Sequence, residues 1–145
     1  YNYAGAPWRT QERLANIMAT QYSDKPDGLS GNDDLGQMSA WFAFTALGFY
    51  PVAPGSNEYV IGRPFLDKAT LNLPNGKRFT VRAENLSATN GYVGRVTLNG
   101  KPLARTFLRH QDITAGGELI FTMQATPNKD WGTAKDARPY TQTAY

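Results

Sequence analysis

Three polar side chains, two of them carboxylates, stand between glycines in residues 31–38, which read GNDDLGQM. They are Asn32, Asp33 and Asp34, and the apolar segment that follows at residues 39–47 predicts a helix. A carboxylate at a helix start can cap free backbone N–H groups, and Asp34 with Gln37 has the spacing of a capping box. It can also act as a general base. Capping is the commoner role, so these residues taken alone favour it.

One reaction that uses a carboxylate in such a place is glycoside hydrolysis by inversion. Such an enzyme needs one ionised carboxylate to deprotonate water and a second carboxylic acid to protonate the leaving group. The dipole and the free N–H groups of the helix start favour an ionised Asp34, which suits the base. Asp33 points elsewhere and cannot address the same water equally. The acid has no good candidate here, since Glu12 is expected within a helix and Glu58 at a strand start.

Other residue types with chemical potential give weaker signals. His110 is the only histidine and lacks a nucleophile elbow, so a structural or surface role is favoured. There is no cysteine, which excludes disulfides and thiolate metal sites. Tyr1, Tyr3 and Trp8 could form an aromatic wall for sugar stacking, although aromatic residues beside a helix start are more often core. We retain Trp8 as a candidate substrate-binding residue and assign no metal ligand within the chain.

Composition and charge indicate a folded globular chain and argue against two classes of partner. The chain has 145 residues, 41% of them hydrophobic and 19% charged, enough for one core. Residues 1–60 carry three basic and six acidic residues, whereas residues 61–145 carry twelve and six. The basic residues are spread singly along predicted strands, so a solvated sheet face is favoured over nucleic-acid binding. No apolar run has the length of a membrane span, and we expect no membrane partner.

The first 52 residues predict two helices that belong to a larger helical assembly. The first helix has Thr10 as its expected N-cap and one apolar face. The second is apolar on nearly its whole circumference and ends at Gly48. One neighbouring helix covers only one stripe of it, so further neighbours are expected from upstream chain. The absence of an initiating Met also suggests a fragment.

Residues 53–145 predict a second, β-rich part. From residue 58 the apolar period changes to two, with hairpin turns at residues 74–77 and at Asn99-Gly100. Leu103, Phe107 and Leu108 are expected on the strand after the second turn, and a further strand is expected around residues 119–123. We predict an antiparallel sheet, as one layer of a small sandwich, with the tail at residues 128–145 wrapping the surface.

Several motifs in this order resemble the C-terminal part of the glycoside hydrolase family 92 mannosidases. The residues that carry the resemblance are YNYAGAPWRTQ at 1–11, GNDDLGQMSAW at 31–41, ALGFYP at 46–51, EYVIG at 58–62, VTLNG at 96–100 and PN at 127–128. The resemblance covers nearly the whole chain. It implies that residues 1–52 are the last helices of an (α/α)6 barrel and residues 53–145 a C-terminal antiparallel region, together an α+β fragment.

The resemblance also implies a function. Members of the family are calcium-dependent, inverting, exo-acting α-mannosidases that remove terminal mannose from N-glycans or mannans, and bacteria commonly export them to the periplasm or secrete them. By position, Asp34 matches the general base, and Asp33 is a candidate supporting residue. Asn32 stands where some members have an Asp that assists the base. The catalytic Glu and most calcium ligands are expected upstream, in the remainder of the parent enzyme. The alternative is a non-catalytic carbohydrate-binding or structural module whose acids only cap.

Overall fold

Two β-sheets and three α-helices form the fold of the computed structural model, which describes residues 1–141. The α-helices are α1 (Pro7–Thr20), α2 (Gln37–Leu47) and α3 (His110–Thr114). The strands are β1 (Phe49–Tyr50), β2 (Glu58–Ile61), β3 (Lys68–Asn72), β4 (Arg78–Glu84), β5 (Tyr92–Leu98), β6 (Lys101–Pro102), β7 (Phe107–Arg109) and β8 (Gly117–Gln124). Short 3-10 turns cover Asn2–Ala4, Asp34–Gly36 and Lys135–Ala137. The predicted α+β class is confirmed, whereas the barrel stays an expectation from the resemblance.

The sheets have the orders β1-β2-β7 and β3-β4-β8-β5-β6. Both predicted hairpin turns are present. Lys68 to Asn72 of β3 pair antiparallel with β4, and β5 turns into β6 at Asn99 and Gly100, whose φ angles are 50° and 77°. Positive φ at both central residues is what a tight type I′ turn requires, and Asn-Gly tolerates it.

The prediction of a purely antiparallel sheet is wrong in one pair of strands. β8 lies in the middle of the large sheet, antiparallel to β5 but parallel to β4, from Phe79 opposite Gly117 to Glu84 opposite Thr122. An alternating apolar pattern shows which face of a strand is buried but carries no information about direction. The chain reaches β8 by a long crossover through β5, β6, β7 and α3, and such a connection permits a parallel pair.

The strand expected after the Asn99-Gly100 turn is divided between the two sheets. β6 contains only Lys101 and Pro102, and proline has no N–H with which to extend the ladder. Phe107 and Leu108 instead lie in β7, where they pair with Val60 and Tyr59 of β2 in the small sheet. The segment that contains β6 and β7 therefore connects the large sheet to the small one.

The apolar core lies between the sheets and α2. Its most deeply buried side chains are those of Phe49, Ile61, Phe79, Val93, Val96, Leu108, Leu119 and Phe121. Phe49 comes from the segment directly after α2, and Leu47 and Phe44 of α2 pack against this cluster. The division of the chain at residue 52 stays a prediction, and the core contains residues from both sides of it.

Two buried amide side chains fix α1 to the sheets. Asn2 Nδ2 donates to the Ile61 carbonyl at 2.7 Å, and Asn2 Oδ1 accepts from Thr10 Oγ1 at 2.6 Å. At the next residue of α1, Gln11 Oε1 accepts from the Val93 N–H of β5 at 3.0 Å. Thr10 therefore bonds a side chain instead of capping the helix, which begins three residues earlier with Pro7 at its first position.

The α2 helix is only partly covered by the described residues. Thr45 and Ala46 are its buried residues, and Phe42 remains 41% exposed. An apolar cavity of about 110 Å³ separates it from α1, and the buried Thr45 Oγ1 at this cavity has no hydrogen-bond partner within residues 1–141. An apolar helix with this much open surface is incomplete as a packed element.

The described part of the tail returns to the small sheet and the segment that precedes β7. The Ala137 carbonyl accepts from Thr106 N at 2.7 Å, and Tyr140 N donates to Glu58 Oε2 at 2.8 Å. The last four residues of the predicted tail, 142–145, lie outside the described residues. Over residues 1–141, no helix combines the length and apolar character that crossing a lipid bilayer requires.

We expect Gly48→Ala to destabilise the fold more than Gly55→Ala. Gly48 has φ 96°, and a Cβ there would lie 3.1 Å from Phe121 Cζ and from the Pro64 nitrogen, whereas Gly55 has φ 80° and no atom within 4 Å of such a Cβ. The left-handed conformation costs alanine about 1–2 kcal/mol at either position. Only Gly48 adds the steric conflict. Urea denaturation of both variants measures the difference, and equal losses would contradict the proposed packing.

Candidate active site

The loop with the three polar residues is held against the far end of α1. Tyr22, just after α1, donates from its hydroxyl to the Met38 carbonyl at 3.2 Å. Its ring stacks on Trp41 with centroids 5.6 Å apart and also contacts Phe42 at 5.2 Å. These contacts fix the start of α2 relative to the end of α1, and so they fix the loop between them.

Two left-handed residues separate the loop from α2. Leu35 has φ 55° and Gly36 has φ 76°, and the Gly36 N–H donates to the Asp33 carbonyl at 2.9 Å. The helix therefore begins at Gln37, two residues earlier than predicted. Leu35 is fully exposed in this conformation. A left-handed leucine is uncommon, and backbone strain of this kind concentrates at functional sites.

Asp33 is the carboxylate that bonds the helix start. Its Oδ1 accepts from Met38 N at 2.7 Å and from Ser39 N at 3.1 Å, and its Oδ2 accepts from Ser39 Oγ at 2.5 Å. The Ser39 hydroxyl, together with the two backbone N–H groups, holds the pKa of the Asp33 carboxyl below its ordinary value. The predicted capping box of Asp34 and Gln37 is wrong, because Gly36 occupies the N-cap position and Asp33 supplies the hydrogen bonds.

Asp34 and Asn32 are left at the surface on either side of Asp33. Both are exposed, and the Asp34 carboxylate accepts no hydrogen bond from within residues 1–141. The two neighbouring carboxylates thus have different environments. One is fixed in structural hydrogen bonds, and the other is accessible to a substrate or a water.

Trp8 lies far from this loop. It stands in the first turn of α1, whereas the loop is docked beyond the last turn, and a helix of 14 residues is about 21 Å long at about 1.5 Å per residue. The Trp8 ring is in contact with two cations, the Arg9 guanidinium at 4.9 Å and Lys129 Nζ at 5.3 Å. The structure therefore does not bring Trp8 and Asp34 together, and its substrate-binding role stays a prediction.

The remaining candidates have structural partners elsewhere. Glu12 Oε1 accepts from the Tyr92 hydroxyl at 3.0 Å, and Glu58 accepts from the tail. His110 begins α3, and its ring stacks on Tyr59, whose hydroxyl is 3.0 Å from His110 Nδ1. Within residues 1–141, no three His, Asp or Glu side chains come close enough to hold a metal ion. These residues alone therefore do not fit a carboxylate-rich calcium site.

Comparison with known proteins identifies the family of this chain. The sequence profile of the glycosyl hydrolase family 92 catalytic domain matches residues 1–125, which is most of the chain. The chain belongs to glycoside hydrolase family 92. An uncharacterized secreted glycosidase of Arthroderma benhamiae is 34% identical over 142 residues, covering 96% of this chain and 18% of the relative.

Solved structures of GH92 enzymes have the same fold over this segment. An inverting GH92 mannosidase of Bacteroides thetaiotaomicron is 44% identical with a TM-score of 0.90. A GH92 α-mannosidase of the same organism, in complex with mannoimidazole, is 42% identical with a TM-score of 0.93. Each comparison covers 97% of this chain and 19% of the other. The chain therefore spans about a fifth of the length of its GH92 relatives.

Sequence reasoning missed the polar contacts that organise this GH92 segment. Asp33 and Ser39 are six residues apart, outside the spacing of any capping box, so no local pattern predicted their contact. The buried amides of Asn2 and Gln11 bond residues 59 and 82 positions away. Such partners cannot be found by local spacing. The one available signal was the presence of polar residues at positions facing the core.

We expect Asp33→Asn to destabilise the GH92 segment in a pH-dependent way. The folded-state pKa of Asp33 is lowered, so its contribution to stability is present above the unfolded-state pKa and is lost as the pH falls through the lowered value. The denaturation midpoints of wild type and variant should therefore differ near neutral pH and converge at low pH. The matched control is Asp34→Asn, which removes no structural hydrogen bond. An equal effect of both variants would disprove the assignment.

Proposed function

We propose that this chain is part of an inverting, exo-acting α-mannosidase that hydrolyses terminal mannose from N-glycans or mannans, and that Asp34 is its general base. The observation that carries the proposal is the division of roles within one loop. Asp33 is bonded to the start of α2, while the next carboxylate is exposed and carries no structural hydrogen bond. Family membership supports the reaction class.

In this proposal the loop positions one proton acceptor. Asp34 takes a proton from the water that attacks the anomeric carbon, and the water enters on the face opposite the leaving group. Asn32 supports the base by orienting the water through its amide. Asp33 acts as a positioning residue, because its hydrogen bonds to Met38 and Ser39 hold the loop in one conformation.

The partner acid is proposed to come from the remainder of the enzyme. Inverting glycosidases place their two carboxyl groups about 6.5–9.5 Å apart, with room for the water between them. In this chain Glu12 and Glu58 already bond Tyr92 and Tyr140. Calcium is proposed by family resemblance, with its ligands expected outside this chain, and we derive no step through it.

We propose that the rest of the enzyme packs on the exposed surface of α2. The helix leaves Phe42 exposed and borders an apolar cavity that contains an unpartnered threonine hydroxyl. A chain that spans a fifth of its relatives has ample missing structure to fill this surface. We also propose a periplasmic or secreted location, which the secreted relative of Arthroderma benhamiae supports.

We expect the purified 145-residue chain to hydrolyse mannosides at no measurable rate. Its proposed base has no partner acid, and general acid catalysis contributes about 10²–10⁴-fold. An aryl mannoside assay in the presence of calcium would measure this turnover. Turnover by the chain alone would disprove the missing acid. Turnover that the complete enzyme keeps after Asp34→Asn would favour the alternative, a non-catalytic carbohydrate-binding or structural module whose acids only cap.

In the complete enzyme, we expect Asp34→Asn to lower kcat by about 10²–10⁴-fold with the fold intact, because the water loses its proton acceptor. Steady-state kinetics and circular dichroism would measure the two effects separately. The matched control is Asp27→Asn, an exposed carboxylate in the same connection between α1 and α2. Near-normal kcat of Asp34→Asn would eliminate it as the base.

A further inference from the structure

A second polar cavity lies beside the middle of α1. Its volume is about 210 Å³, and it is bordered by Glu12 of α1, Arg63 after β2, and Thr89 and Tyr92 at the start of β5. The cavity has room for a small polar ligand. None of these residues belongs to the Asp34 loop.

Arg63 is the unusual member of this cavity. It is half-buried, and its guanidinium lies over the Phe65 ring at 4.6 Å. Its Nε is buried without a hydrogen-bond partner, and within residues 1–141 it forms no ion pair. Burial lowers the pKa of the Arg63 guanidinium, because the charged form loses hydration. A partly desolvated arginine without a partner is costly to the fold unless a ligand bonds it.

The backbone opposite Arg63 is shaped to admit the guanidinium. A Cβ at position 91 would lie 3.0 Å from Arg63 Nη1, so Gly91 leaves room that a larger residue would fill. On the other wall, the Tyr92 hydroxyl donates to Glu12 Oε1 at 3.0 Å and so orients this carboxylate. Gln11 of α1, whose side chain accepts from the Val93 N–H, also borders the cavity.

The charges of the cavity select the class of ligand. It contains one cation and one anion that are not paired with each other. An anionic ligand would be attracted by Arg63 but repelled by Glu12. A cationic ligand would be attracted by Glu12 but repelled by Arg63. A hydroxyl group both donates and accepts, so neighbouring hydroxyls of a neutral sugar can accept from the guanidinium and donate to the carboxylate.

We propose that the cavity formed by Glu12, Arg63 and Tyr92 binds one neutral sugar residue of the glycan, away from the bond that is cleaved. Glu12 lies eight residues before the end of α1, about 12 Å at about 1.5 Å per residue, and the Asp34 loop is docked beyond that end. The cavity therefore contacts a branch or an inner residue of a large glycan. The identity of the ligand as a glycan rests on the proposed function.

The test compares a branched high-mannose glycan with a short aryl mannoside in the complete enzyme. For Arg63→Ala and Glu12→Gln, we expect the ratio of kcat/KM for the glycan to kcat/KM for the short substrate to fall about tenfold, as loss of one hydrogen bond to a charged group predicts. Arg82→Ala is the matched control, an exposed arginine of β4 that lies 3.6 Å from Glu118. A ratio that stays at the wild-type value in both variants would overturn the proposal.

A second measurement separates this proposal from the proposed function. Calorimetry with neutral mannose oligosaccharides should show weaker binding to Arg63→Ala than to Arg82→Ala, whether or not the enzyme cleaves them. If the enzyme cleaves neither substrate but this difference is observed, the mannosidase assignment fails and the sugar site stands. Competition by inorganic phosphate would instead indicate an anion site and refute the neutral ligand. Should Arg63→Ala fail to fold, Glu12→Gln, which keeps the shape of its side chain, decides the outcome.

Discussion

The first backbone N–H groups of α2 have no partner within the helix, and this requirement organises the candidate active site. Asp33 Oδ1 accepts from two of these groups, the N–H groups of Met38 and Ser39, and Asp33 Oδ2 accepts from the Ser39 hydroxyl. From Asp33 the chain enters the helix through the left-handed pair of Leu35 and Gly36. Asp34 lies exposed between Asp33 and this pair.

The two roles that a carboxylate at a helix start could have are therefore divided between neighbours. The capping role and the reactive role do not compete for one side chain, because Asp33 has the first and Asp34 is available for the second. This is a physical reason for two consecutive acids in the loop. A single acid engaged by three donors would be a weak base, since its lone pairs would already be occupied and its pKa lowered.

The site also depends on how α1 is attached. Asn2 and Gln11 bond the small and the large sheet, and Tyr22 at the other end of the helix bonds Met38. Contacts at the two ends of α1 therefore fix the Asp34 loop relative to the sheets. The same attachment brings Glu12 to Tyr92 and Arg63, so one helix borders both the proposed sugar cavity and, beyond its end, the proposed base.

Local patterns in the sequence specified one set of features. These were the two long helices, the hairpin turns at Gly76 and Asn99-Gly100, the apolar faces of β4 and β8, and the family through its motifs. Each follows from spacing, from the backbone conformation that glycine or asparagine allows, or from a run of matched residues.

The tertiary fold selects which carboxylate bonds the helix, which strands pair in parallel and which polar residues are buried. The Asp33–Ser39 contact, the β4–β8 pair and the Gln11–Val93 bond join residues whose partners are chosen by packing across the fold. Local periodicity cannot specify them, because a residue's period shows the face on which it lies and not the residue that it meets.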